Sequence, residues 1–326
     1  MKQADIAKPF QNNHAKHVDK GLFGYFRMKY FGDDVWPDYE EESKQVPVTK
    51  FDGKLEFSSH DNLQVFWVGH STFLIHYNGV NVLTDPIFSE RASPFSFAGP
   101  ERLVDLPITI EQLPNIDIVV ISHNHYDHLD EGTIKMLGNK PLYFVPEGLK
   151  SWFVDLGISD DRVTELAWWQ ESDLTLNQSL FRITALPCQH WSKRTLTDTN
   201  LSHWASWGIE FADKTLWFAG DTGYNKHDFQ DIGKHYKSVD LALIPIGAYA
   251  PRSFMSKYHV NVDEAIMIHN DVNSKFSIGM HWGTFPLTAE PVIEPMQLLR
   301  NKTKAGLDNP FITLSIGQLI KLPSAD

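Results

Sequence analysis

The sequence predicts an α/β (α+β) chain in which β-sheets lie beneath outer helices, and three observations carry that prediction. Short apolar runs of strand length recur along the chain. Two of them, residues 72–77 and 80–83, are joined by Asn78-Gly79, a pair that tolerates the positive φ angles of a tight hairpin. Helical patterns lie between several of the later runs.

Taken in order, residues 65–68, 72–77 and 80–83 form the first strands, and 116–121 follows as a buried one. Residues 131–137 predict a helix, 142–145 a strand and 148–156 a helix. Runs at 181–186, 216–219, 241–246 and 276–280 predict further strands. The clearest helix follows Asn261, an N-cap whose partner Glu264 completes a capping box, with Ala265, Ile266 and Ile268 among its apolar positions. A last helix is expected at 291–300. The pattern alone leaves the layering of these elements open.

With 326 residues, 42% of them apolar, the chain can bury one sizeable core. Residues 1–60 mix aromatics (Phe23, Tyr25, Phe26, Tyr30, Phe31, Trp36) with charges and no clean period. They are expected to be an arm packing on a main domain of residues 61–326, either covering the site or serving as a plain surface extension. The net charge of −12 and the absence of a Lys/Arg stripe disfavour a nucleic-acid partner. A lone cysteine, Cys188, suits a reducing compartment, and no apolar run approaches the roughly 20 residues of a spanning helix. The expectation is a cytoplasmic protein, at most peripheral to the inner face of the membrane. A homodimer is compatible with the sequence, which does not reveal the oligomeric state.

The chemistry concentrates in Ser122-His123-Asn124-His125-Tyr126-Asp127-His128, where four potential metal ligands fall within six positions directly after a strand. In an extended stretch residues two apart project to one side, so His123 and His125 can hold one ion. The chain then turns toward a helix, letting Asp127 and His128 face a second. A merely solvated loop would favour Lys, Glu and Ser. His190, Asp221 and His281 each follow a predicted strand, so strand ends at one edge can bring them together. Gly220 and Gly223 flank Asp221 and permit a tight turn there.

The pattern His123-x-His125-x-Asp127-His128 with later His190, Asp221 and His281 resembles the binuclear metallo-β-lactamase superfamily, which implies an αββα four-layer sandwich. The segments WVGHST (67–72), LTDPIF (83–88), RASP (91–94), GPER (99–102), CQHWSKR (188–194), FAGDTGY (218–224), IPIGAYAPR (244–252) and HWGTF (281–285) are similar to N-acylphosphatidylethanolamine-hydrolysing phospholipase D. The resemblance implies two zinc ions, one on His123, His125 and His190, the other on Asp127, His128 and His281, with Asp221 bridging. Imidazole and carboxylate donors alone leave iron or manganese open. His70 and Asp85 match positions that orient ligands, and His259 matches a histidine beside the reacting phosphate. Asp127, Asp221 and His259 are the expected catalytic groups.

The implied reaction is phosphodiester cleavage of an N-acyl phosphatidylethanolamine-like lipid by a metal-activated water. Lys193 and Arg194 either add positive charge for the phosphodiester or are simply solvated. Tyr126, Trp191, Tyr249 and Trp282, with Tyr224 and Phe285, either line an apolar channel or pack in the core. The alternatives are a lactonase or other carboxylic-ester hydrolase on the same scaffold, and a non-catalytic metal-binding module. The first sixty or so residues match no family segment.

Overall fold

Residues two apart on a strand share a face, and in β1 (Gln64–Gly69) this sorts Val65 and Trp67 into one core and Phe66 and Val68 into another. The same sorting recurs where β4 (Ile118–Val120) sends Ile118 and Val120 to the first core and Val119 to the second. A sheet buried on both faces explains why these strands read as continuous apolar runs rather than alternating ones. The computed structural model describes residues 8–16, 24, 27, 29, 31–32, 34–57, 62–304 and 306–322.

Among the described residues two seven-stranded sheets form. In the first, β1, β2 (Thr72–Tyr77) and β3 (Val80–Thr84) are antiparallel, and Asn78 and Gly79 turn the hairpin with φ of 50° and 72°. From β3 the sheet continues in parallel through β4, β5 (Leu142–Pro146) and β6 (Val163–Leu166). The second sheet runs antiparallel through β7 (Glu171–Leu176), β8 (Ser179–Leu186), β9 (Ser206–Glu210) and β10 (Thr215–Phe218). It then continues in parallel through β11 (Leu241–Pro245), β12 (Ser277–Met280) and β13 (Phe311–Thr313). Strand β14 (Leu319–Lys321) closes the first sheet beside β1.

Helices cover both outer faces. Ile134 and Leu137 of α2 (Glu131–Leu137) and Phe153 of α3 (Lys150–Asp155) pack on the first sheet. Phe229 and Ile232 of α4 (Lys226–Tyr236), Ala265 and Ile268 of α6 (Val262–Asp271) and Leu299 of α7 (Glu294–Thr303) pack on the second. Two shorter helices, α1 (Tyr39–Ser43) and α5 (Arg252–Met255), are also present among the described residues. Four layers, helix, sheet, sheet and helix, result.

The capping box at Asn261 and Glu264 is present as expected. Strands β6, β7, β9, β13 and β14 and helix α4 were not expected from the sequence. Strand β7 is an edge strand with alternately exposed residues, so its Glu171 and Asp173 gave no apolar signal. Helix α4 hides behind Gly233, a poor helix former. A side chain there would put its Cβ 2.1 Å from the Asp271 carbonyl oxygen, so the glycine is what lets α4 lie against the end of α6.

Of the aromatics in the N-terminal arm, Phe23, Tyr25, Phe26 and Tyr30 lie outside the described residues, and Phe31 is exposed. Further along, the Tyr39 hydroxyl donates to the Thr288 carbonyl (2.7 Å), Glu42 accepts from the Val292 amide (2.7 Å) and Val46 enters the core between the sheets.

Candidate metal centre

Six strands, β1, β3 and β4 in one sheet and β8, β10 and β12 in the other, release their C-terminal ends at one edge of the sandwich. The residues that follow them are His70, Asp85, His123, His190, Asp221 and His281. Three of these turns demand unusual backbone: His70, Asp85 and His281 hold φ of 52°, 31° and 64°. Non-glycine residues adopt such angles rarely and chiefly where surrounding structure enforces them. Gly220, with φ of 59°, brings the chain before Asp221 so close to Ser122 that an added Cβ would lie 2.6 Å from the Ser122 Cβ.

The loop from His123 to His128 is braced from both sides. Asp130 caps α2 by accepting from the Gly132 amide, and its carboxylate also accepts from the Ser89 amide and hydroxyl and from Thr133 Oγ1. Arg194 donates to the carbonyls of Asn124 (3.2 Å) and Leu129 (2.7 Å), one at each end of the loop, while its guanidinium stacks on Tyr126 and Trp152.

Two donor groups result. In the first, His123 Nε2 lies 2.8 Å from His125 Nδ1, which lies 3.3 Å from His190 Nε2. In the second, Asp127 Oδ2 lies 3.0 Å from His70 Nε2, 3.4 Å from His128 Nε2 and 3.6 Å from His281 Nε2. Asp221 stands between the groups: Oδ2 is 3.8 Å from His190 Nε2 and 3.2 Å from His128 Nε2, and Oδ1 is 3.0 Å from His281 Nε2. His259 Nδ1 lies 3.8 Å from Asp221 Oδ2 on the more open side, where its side chain is 12% exposed.

The outer nitrogens of three imidazoles are tied back. His128 Nδ1 meets Asp85 Oδ2 at 2.6 Å, His123 Nδ1 meets Ser122 Oγ at 2.8 Å, and His190 Nδ1 meets the Tyr258 carbonyl at 3.0 Å. Ser122 Oγ in turn donates to Asp85 Oδ2 at 2.5 Å, so one buried carboxylate serves both groups. A proton on the nitrogen facing Asp85 leaves His128 Nε2 as a lone pair, and that lone pair faces two carboxylates and another imidazole. A proton on His190 Nδ1, facing the Tyr258 carbonyl, likewise leaves Nε2 as a lone pair, which faces Asp221 Oδ2 and His125 Nδ1. Lone pairs aimed at one another in a buried space call for a cation among them, so the residues fit a metal centre with oriented ligands.

The charges answer to the same crowding. Burial disfavours the ionised form of Asp221 and Asp127, yet the facing imidazoles hold both carboxylates well below their usual range. Burial likewise disfavours a charged His281, but Asp221 and Asp127 overcome it and raise the ring to about 9. His125 and His259, mainly through burial, fall to about 4. Asp85 is pushed up by burial despite its bonds to His128 and Ser122.

All seven expected ligands therefore meet, and Asp85 lies behind His128. His70 Nε2 lies within hydrogen-bond distance of Asp127 and close to the other donors of the second group. The residues expected near the substrate divide. Tyr126, Trp191 and Lys193 are partly exposed at the rim, with Trp191 edge-on to His125 at 4.7 Å. Tyr249 and Trp282 are buried in the larger hydrophobic core, the Tyr249 hydroxyl bonding Glu294 of α7 and Trp282 packing on Trp67. Arg194 is partly buried, and its Nη1 is engaged by the loop it braces. Arg194→Ala should lower the melting temperature and release metal more readily while leaving KM for a phosphodiester near its starting value, checked by thermal scans, metal analysis and steady-state kinetics. Ser122 was missed: a serine beside a histidine carries no signal until the fold sets Asp85 next to it.

A family model described as the Beta-lactamase superfamily domain matches residues 80–282. N-acyl-phosphatidylethanolamine-hydrolyzing phospholipase D 1 of Caenorhabditis elegans is 41% identical over 274 residues, which are 81% of this chain and 77% of that protein. The mitochondrial N-acyl-phosphatidylethanolamine-hydrolyzing phospholipase D of Saccharomyces cerevisiae is 39% identical over 237 residues, 72% of this chain and 50% of that protein. Among solved structures, a possible metal-dependent hydrolase from Veillonella parvula superposes with a TM-score of 0.64 at 19% identity, covering 80% of this chain and all (100%) of that one, a likeness of fold. With this fold, this donor set and these relatives, the chain belongs to the beta-lactamase superfamily domain family of metallo-hydrolases and, within it, to the N-acylphosphatidylethanolamine-hydrolysing phospholipase D family.

Proposed function

We propose that the chain is a binuclear, zinc-dependent phosphodiesterase of phospholipase D type that cleaves N-acyl phosphatidylethanolamine-like lipids into an N-acylethanolamine and a phosphatidic acid. The observation that carries this reading is the pair of donor groups meeting at Asp221, whose carboxylate lies 3.0–3.8 Å from imidazole nitrogens of both groups and would help hold a cation in either. Two bound ions would supply Lewis acidity for the phosphoryl oxygens and lower the pKa of water toward about 7, making a nucleophile available at neutral pH. Asp221 Oδ2 orients that nucleophile and accepts its proton. His259, whose Nδ1 has no hydrogen-bond partner, faces the open side and stabilises charge on the phosphoryl group. Asp127, held ionised by its imidazole neighbours, keeps negative charge on the second group. The first group, His123, His125 and His190, is all imidazole, and the second carries Asp127, so the two groups would present unlike fields to bound ions.

On this reading the enzyme meets its lipid at a membrane surface, as a peripheral protein of the cytoplasm. Among the described residues no helix is long and apolar enough to cross a membrane. Phe95 and Phe97, 55% and 81% exposed, stand on the segment that follows Asp85, where an apolar contact would serve such a surface.

The test is a substrate panel with the metal-loaded protein: an N-acyl phosphatidylethanolamine, a simple phosphodiester and a lactone, with metal measured by elemental analysis. Release of N-acylethanolamine and phosphatidic acid is the expected result. Rapid lactone hydrolysis with an intact lipid would make it a carboxylic-ester hydrolase instead, and a metal other than zinc would revise the cofactor alone.

A further inference from the structure

Within the N-terminal arm, Asn12 pairs with the backbone of His190 in both directions: its Nδ2 donates to the His190 carbonyl (2.8 Å) and its Oδ1 accepts from the His190 amide (3.0 Å). The indole of the buried Trp204 donates to the same Oδ1 at 3.0 Å. Two N–H donors on one atom fix which end of the amide is oxygen. On the other side of the residue, His190 offers Nε2 to the first donor group and rests Nδ1 on the Tyr258 carbonyl. The backbone of this ligand lies in a stretch without regular structure, between β8 and β9, apart from the single bridge that joins the neighbouring Gln189 to Gly223. Its amide and carbonyl thus have no strand ladder to hold them, and Asn12 takes the place of one.

We propose that Asn12 is a positioning residue for the three-histidine metal site, so that the N-terminal arm, which lies before the residues 80–282 matched by the superfamily model, completes that site from behind. The proposal rests on the reading of the centre as a metal site. Outer partners of ligand residues typically govern affinity by about 10- to 100-fold, because a ligand free to rock spends less time aimed at its ion. Asn12 does this one covalent step removed, through the main chain of the ligand rather than through its ring.

The arm also docks by a route that avoids His190: Asn13 donates to Asp228 Oδ1 (3.1 Å), and His14 lies 3.5 Å from the same oxygen. That separates positioning from docking. Full-length wild type, Asn12→Ala, Asn12→Asp and Asn13→Ala are compared by competitive titration with zinc and by the visible spectrum of the cobalt-loaded protein. Asn12→Ala should weaken zinc binding at the three-histidine group by about tenfold and alter the cobalt bands. Asn12→Asp, which keeps the acceptor but sets a carboxylate oxygen against the His190 carbonyl, should do likewise. Asn13→Ala should lower the melting temperature slightly with zinc affinity and spectrum unchanged. Equal losses in Asn12→Ala and Asn13→Ala, or unchanged zinc affinity in both Asn12 variants, overturn the proposal while a metal-binding wild type leaves the reading of the centre standing. A wild type that takes up neither ion overturns both.

Discussion

Asp221→Asn is expected to lower kcat by about a thousandfold, the upper range seen when one preorganised polar group is removed from a closed active site, while the melting temperature of the metal-free protein changes little. The asymmetry follows from the geometry. Asp221 lies within 3.0–3.8 Å of His128, His281, His190 and His259 and is not itself part of the hydrophobic core, so the sandwich keeps its packing. The amide nearly matches the carboxylate in shape, yet it carries no charge to offer a bound cation and cannot take a proton from the nucleophile. Metal content should fall as well, the loss centring on the ion shared with His128 and His281. Steady-state kinetics beside elemental analysis checks both halves, and turnover within a few fold of wild type would remove Asp221 from the chemistry.

Asp85→Ala is expected to damage stability and metal binding together. Asp85 accepts from the Ser122 amide (2.6 Å), the Ser122 hydroxyl (2.5 Å) and His128 Nδ1 (2.6 Å), all of them buried. Truncation strands three donors at once. Removing one partner from a buried charged network costs about 3–5 kcal/mol, and the loss of an orienting carboxylate typically weakens metal affinity about 10- to 100-fold. Because Ser122 passes the constraint on to His123, both donor groups should loosen, which distinguishes this variant from Asp221→Asn. Thermal unfolding of the metal-free protein and stepwise metal titration read the two effects separately. A variant that unfolds like wild type and loses only one ion would show that Ser122 does not carry the coupling.

The local code of this chain was strong where one physical requirement dominates. The hairpin at Asn78-Gly79 was legible because few residue pairs tolerate two positive φ angles, and the capping box at Asn261 and Glu264 because side chain and backbone satisfy each other within one turn. The ligand loop was legible because three imidazoles and a carboxylate in six positions have no cheaper explanation than a metal. Edge strand β7 and helix α4 were not, since their stability comes from what they pack on: β7 borrows its pairing from β8, and α4 depends on the space Gly233 leaves for Asp271.

Roles that depend on distance across the fold were decided by tertiary structure alone. Arg194 reads as a spare cation until the fold brings two loop carbonyls to its guanidinium, and Tyr249 reads as a channel residue until Glu294 comes within reach of its hydroxyl. Residue types and their order determined which chemistry this chain can perform, because coordination needs particular atoms. Which side chains aim those atoms, from as far away as Asn12, is settled by long-range packing, in which partners nearly two hundred positions apart leave no mark on their neighbours in sequence.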